Sequence, residues 1–144
     1  MPFAALESWT NRPEPGIRNY SGKAVYRKTF DAPRPDQPGK RWLDLGDVQD
    51  VGVARIRLNG RDLGIVWCPP FRVPLGNVLK PTGNKLEIEV INSWRNRLIG
   101  DRDKPQLQRL TQTNITIKPN WQLLPAGLLG PVTLLSATDP TTAR

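Results

Sequence analysis

The chain has 144 residues, the length of one ordinary domain and too short to house a second core comfortably. Its 38% hydrophobic and 24% charged residues are a globular balance, and no apolar run approaches the roughly 20 residues a membrane helix needs. The formal charge of +8 favours anionic partners, and a histidine count of 0 excludes Ser-His-Asp and Cys-His nucleophile systems and His-ligated zinc.

Cys68 is the single cysteine, so no internal disulfide and no multi-cysteine metal site can form within the chain. The opening MPFAALESWTNRP lacks a basic start, a long apolar core and a small-residue cleavage site, which predicts no secretory signal and leaves an intracellular protein or an excised piece. Fifteen prolines and 12 glycines along the whole length break long helices and favour short strands with tight turns. KAVYRKTF at 23–30 is the first strand, with Ala24, Tyr26 and Phe30 on one side and Arg27 on the other. After a proline-rich loop, RWLDLGDV supplies a second, with Leu43 and Leu45 on one face and a turn at Gly46.

The clearest hairpin lies at 51–67. Ala54, Ile56 and Leu58 alternate with Arg55 and Arg57 before Asn59-Gly60, a pair suited to a type I′ turn. Leu63, Ile65 and Trp67 continue the return strand, and Trp42 and Trp67, lying in strand text, are expected in the core. PPFRVPL reads as a short extended piece and residues 80–84 as a turn. KLEIEVINSW then places Leu86, Ile88 and Val90 on one side and Lys85, Glu87 and Glu89 on the other, where Arg55 and Arg57 could pair with the glutamates across strands. Residues 95–118 lose the alternation and read as a long loop holding one short strand candidate, TNITIK. PVTLL is a closing strand able to pair back near the first, and the tail at 138–144 is expected to be flexible. Seven or eight short strands with one half-polar face predict an all-β protein, a jelly-roll β-sandwich of two antiparallel sheets. It forms a single domain over 1–144 with an ordered core at about 9–137.

The order YRKTF, LDLGDV, ARIRLNGRDLG, PPFRVPL, LKPTGNKLEIEVIN resembles the galactose-binding-like jelly-roll domain of family 2 glycoside hydrolases. IRNYSGKAVYRKTF, NSWRNRLIGD and LLPAGLLGPV resemble more specifically the C-terminal domain of bacterial α-L-rhamnosidases of glycoside hydrolase family 106, over about Trp9 to Leu135. In such enzymes the catalytic acid and base lie in a separate barrel. The resemblance therefore implies a non-catalytic accessory module whose partner is a catalytic glycoside hydrolase domain. It also implies a parent protein exported to the periplasm or the extracellular space, and a 92–101 loop near the substrate edge or a domain interface.

Glycoside hydrolysis needs two carboxyl groups roughly 5 to 10 Å apart across a sugar. Glu7 and Glu14 lie in irregular text and Glu87 and Glu89 share one strand face, so none makes such a pair. Sugar binding needs flat aromatic faces beside planar hydrogen-bonding groups. Trp9, Tyr20, Trp94 and Trp121, at segment ends or in loops, supply the faces, or else cover the end of the sandwich. Asn92, Asn96, Arg97 and Asp101 crowd one strand exit with Trp94, although Arg97 and Asp101 could equally pair to pin the loop. A structural calcium near Asp101, Asp103 and Asp47 is an option. The 14 Arg and seven Lys are scattered, with no recognition-helix or RNA-binding-sheet pattern, so a polysaccharide or oligosaccharide is expected as partner and neither nucleic acid nor membrane is. Pectic polymers containing rhamnose and galacturonate suit a basic module through Arg–carboxylate pairs. The alternatives are a structural domain packed on a catalytic barrel without its own ligand, and a small nucleic-acid-binding β-domain.

Overall fold

The computed structural model describes residues 5–33, 39–50 and 52–137, so the 138–144 tail and part of the proline-rich loop lie outside the described residues. Besides two single-turn 3-10 helices at Trp9–Asn11 and Gln106–Gln108, the described elements are α1 (Pro15–Arg18), β1 (Lys23–Phe30), β2 (Lys40–Asp44), β3 (Asp47–Gln49), β4 (Val53–Leu58), β5 (Arg61–Val66) and β6 (Arg72–Pro74). β7 (Asn84–Ile91), α2 (Arg95–Asp101), β8 (Gly127–Gly130) and β9 (Thr133–Ala137) complete them. All strand pairing within the sheets is antiparallel.

One layer of the sandwich has the order β1-β7-β4-β5. The other is cut into two pieces, β6-β2-β9 and β3-β8, because β2 gives way to β3 at Gly46 just where β8 gives way to β9, and Gly46 bridges Gly130 at that break. The expected two-sheet sandwich is therefore present with its second sheet interrupted. The alternation read from the sequence sets the interior: Ile56, Leu58, Leu86, Ile88 and Val90 from the first layer meet Leu43, Leu45, Val48, Val73 and Leu128 from the second.

The β4–β5 hairpin turns at Asn59 (φ 54°) and Gly60 (φ 83°), the two left-handed residues that a type I′ turn requires. Its return strand departs from simple alternation. Arg57 faces Asp62 but Ile56 faces Gly64, so Leu63 is an extra residue, a β-bulge that reverses the parity beyond it. Val66 consequently lies toward the core while Ile65 and Trp67 are exposed, which corrects the expectation that Trp67 is a core residue. Trp42, on β2, is half-buried.

Three further expectations are corrected. The closing strand β9 pairs with β2, not with β1, because β7 already occupies the inner edge of β1 and the two lie in different layers. TNITIK forms no strand; these residues are mostly exposed and alternation alone supplies no partner for the backbone. Residues 95–101, read as loop, are the helix α2, which carries no apolar periodicity for a sequence reading to find.

Candidate functional site

The end of the sandwich where β7 leaves the four-stranded sheet is built by side-chain hydrogen bonds. Asn92, one residue past β7, accepts from Gly22 N–H at 2.9 Å through Oδ1 and donates to the Tyr20 carbonyl at 2.9 Å through Nδ2. This ties the entry to β1 onto the exit from β7. Asn96 on α2 treats Leu124 as a strand would, donating to its carbonyl at 2.8 Å and accepting from its N–H at 2.9 Å. Asp101, also buried, accepts from Leu110 N–H, Thr111 N–H and Thr111 Oγ1, each at 2.9 Å, and from Lys104 Nζ at 3.1 Å. Burial pushes the Asp101 carboxyl pKa upward, and the bonds from Thr111, Lys104 and Leu110 more than offset it, holding it below the ordinary value. Arg97 lies 3.9 Å from Asp101 across one helical turn. Asn92 and Asn96 therefore spend their side-chain amides on backbone, Asp101 divides its carboxylate between backbone N–H groups and the Thr111 and Lys104 side chains, and Arg97 lies beside it.

Trp9 and Tyr20 cover the sandwich end. Trp9 is only 3% exposed, packs edge-on to Tyr20 with ring centroids 5.6 Å apart, and donates its indole N–H to the Tyr26 hydroxyl at 2.6 Å. A side chain at Gly127 would strike the Trp9 ring, with a Cβ only 2.6 Å from Nε1. Tyr20 donates to the Lys23 carbonyl at 2.8 Å. Of the eight candidate contact residues, Trp9 thus presents no free face, and Asn92, Asn96 and Asp101 present no free polar edge.

Trp94 and Trp121 differ. Trp94, at the N-terminus of α2, is 65% exposed. Trp121 is half-buried beneath Arg95, whose guanidinium carbon stands 4.7 Å from the ring centroid while its Nε donates to the Gln122 carbonyl. The bulge adds an aromatic that the sequence reading assigned to the core. Trp67 is 71% exposed, and Val66 pairs with Ala54, so Trp67 stands next in register to Val53, which itself faces Ile91. Ile91 and Ile65 are exposed on the same surface, and β7 reaches Trp94 three residues beyond Ile91. A tryptophan one residue past a Gly-containing strand was the available signal for a bulge, but its position is not encoded by alternation.

A groove of about 1120 Å³ runs between the layers along the edge of β1, lined by apolar residues including Leu6, Trp9, Tyr26, Phe30, Leu128 and Leu134, with no carboxyl group among the lining residues. On the outer face of the four-stranded sheet, Glu87 and Glu89 pair with Arg27 at 2.9 Å and Lys23 at 3.4 Å. The expected Arg55 and Arg57 lie opposite them in register, yet Arg55 instead bonds to Asp62 across the hairpin. Every carboxyl among the described residues has at least one donor, Asp50 from Ser93 and Asp31 from Gly83 N–H included. Glu14, Asp44, Asp62 and Asp103 are held below their ordinary pKa by Arg12, Arg72, Arg55 and Arg102 respectively. A glycosidase general acid needs the opposite displacement.

The residues proposed for calcium do not fit it. Among the described residues no three acidic or cysteine side chains form a metal-holding group. Asp101 is filled by Thr111 and Lys104, Asp103 is chelated by Arg102, and Asp47 accepts from Gln49. A calcium shell of six to eight oxygens would have to displace a lysine ammonium at Asp101.

No family model matches the chain. A solved rhamnosidase from Novosphingobium sp. PP1Y is similar over 93% of this chain, with 38% identity and a TM-score of 0.82, and the match takes up 13% of that enzyme. A Formosa agariphila protein named "Putative beta-glucuronidase" is 35% identical over 156 residues, 90% of this chain and 13% of its own length. This chain is related to a domain-sized segment of much larger glycoside hydrolases. The β-glucuronidase of Bifidobacterium dentium, solved with coumarin-3-O-glucuronide, is similar over 63% of this chain with 25% identity and a TM-score of 0.53, spanning 15% of that enzyme. No helix of the described residues is long and apolar enough to cross a membrane.

Proposed function

We propose that this chain is the non-catalytic accessory module of a rhamnosidase of the glycoside hydrolase family 106 type, and that it holds carbohydrate at the β7 exit. The observation that carries this reading is the pair of largely exposed indoles, Trp67 and Trp94, at the end of a sheet that already exposes Ile65 and Ile91. An indole left in water on a domain with a complete core is a flat apolar face available to the C–H side of a pyranose. Arg95 over Trp121 adds planar donors beside them, suited to the carboxylate of a galacturonate in a rhamnose-containing pectic chain. The parent enzyme then supplies the carboxyl pair and works outside the cytoplasm. Nucleic acid is disfavoured, since Lys23, Arg27 and Arg55 on the sheet face are matched by Glu89, Glu87 and Asp62.

The test is binding of the chain to arrays of rhamnose-rich, galacturonate-rich and neutral plant polysaccharides, at low and raised salt. Trp67→Ala, Trp94→Ala and Trp121→Ala should each weaken binding by roughly tenfold or more, and salt should weaken binding to galacturonate-rich polymers alone. The burial of Asn92, Asn96 and Asp101 favours a second reading, a structural domain without its own ligand. Absence of binding to every glycan would establish that one in its place. Hydrolysis of a rhamnoside by the purified chain would sink both.

A further inference from the structure

The groove along β1 opens onto the core itself. Its lining includes Leu43, Ile88 and Leu128, each no more than 2% exposed, together with Tyr26 and Phe30 of β1 and Leu134 of β9, which are only partly buried. β1 and β9 are the outer strands of their sheets, so on this side no further strand among the described residues closes the two layers. The charged lining is wholly cationic, and its three members are not equivalent. Lys23 and Arg27 pair with Glu89 at 3.4 Å and Glu87 at 2.9 Å. Lys28 lies opposite Leu86 in register, between the pairs Tyr26↔Ile88 and Phe30↔Asn84, and so stands on the side of β1 that looks into the sandwich. Among the described residues no carboxylate or carbonyl holds its ammonium.

An apolar side chain at position 28 would continue the row of Ala24, Tyr26 and Phe30, whereas lysine sets one unneutralised charge at the mouth of an apolar groove. We infer that this groove binds a small anionic amphiphile, with its aliphatic or aromatic body between β1 and β9 and its carboxylate or sulfonate on Lys28 Nζ. Charge decides the occupant. A neutral apolar body would leave the ammonium beside it without a partner, and a cationic one would meet Lys23, Arg27 and Lys28. A second copy joined edge to edge through β1 would bring two sets of these cations together. The volume of about 1120 Å³ is ample for a drug-sized body, and apolar walls with one fixed polar anchor are the usual make-up of a small-molecule site. The site goes beyond the carbohydrate reading and does not rest on it, since neither Trp67 nor Trp94 lines the groove.

The experiment titrates the isotope-labelled 144-residue chain with decanoate, decanol and decylammonium and follows its amide resonances. Decanoate should move those of Tyr26, Phe30 and Leu134, leave those of Trp67 and Trp94 in place, and bind roughly tenfold or more tightly than decylammonium. Each methylene added to the carboxylate should tighten binding by roughly two- to fourfold. Lys28→Met keeps the apolar stem and should weaken decanoate by about tenfold while leaving decanol unchanged. Lys28→Arg should retain decanoate, and Lys28→Glu should reverse the preference between decanoate and decylammonium. Position 28 is exposed, so all three variants should melt with the wild type. No binding of decanoate, equal affinity of wild type and Lys28→Met for it, or resonances that move at Trp67 and Trp94 instead would overturn the site. So would a Lys28→Met chain that dimerises while neither form binds decanoate, which would make Lys28 a guard of the β1 edge.

Discussion

The β4–β7 pairing and the 102–124 arm solve the same problem, ordering the backbone, by opposite means. Between β4 and β7 the ladder runs unbroken from Val53↔Ile91 to Leu58↔Leu86, and the side chains Ala54, Ile56, Leu58, Leu86, Ile88 and Val90 are buried together. Backbone satisfies backbone there, and side chains are free to fill the core. In the arm no strand or long helix is present among the described residues, so side chains from α2 and from the arm itself take over the role of the missing ladder. The contrast teaches that order in this domain has two separable sources, apolar burial in the sandwich and a charged hydrogen-bond scaffold in the arm.

The sharpest way to break the comparison is to cut into the sandwich. Ile56→Ala, at a fully buried position, should cost about 2–5 kcal/mol in urea unfolding and lower the stability of sandwich and arm together, because the arm is rooted on the sandwich. Asp101→Asn should cost less, about 1–3 kcal/mol, and its effect should concentrate in the arm: amides of Leu110 and Thr111 should exchange faster while those of β4 and β7 stay protected. An equal acceleration in both regions would show that they are one cooperative unit.

The same carboxylate sets a pH dependence. Its folded pKa lies below the unfolded value of about 3.9, so its contribution is complete above that pH and is lost as pH falls through the folded value. The amide resonances of Leu110 and Thr111 should therefore hold steady at neutral pH and move only in acid below the usual aspartate range. The stabilities of wild type and Asp101→Asn should converge there. Trp9→Phe deletes the N–H donated to Tyr26 together with part of a buried ring packed on Gly127, so about 1–3 kcal/mol should be lost in thermal unfolding. Smallest of all, Leu107→Ser should change the stability of the 144-residue chain by no more than about 0.5 kcal/mol.

The interior was legible because period-two alternation is a property of neighbouring residues. Ala54, Ile56 and Leu58 must share a face in any strand, and Asn59-Gly60 must turn. The candidate site was legible only as a neighbourhood. The 92–101 phrase lies at the end of the sandwich where β7 leaves the sheet, yet its composition did not reveal that Asn92, Asn96 and Asp101 are bound to backbone 9 to 72 positions away in sequence while the Trp94 ring is exposed. Trp67 was misread because one extra residue at Leu63 inverts every side chain after it.

By itself, then, the sequence determined an all-β domain with its core positions, its hairpin turn and its lack of histidine chemistry, since each follows from residue identity and local spacing. The tertiary structure alone decided the partner of β9, the helix at 95–101, the outward Trp67 and the side-chain bonds that hold the 102–124 arm. Each of these depends on which distant backbone group a side chain finds, and sequence spacing carries no record of that choice.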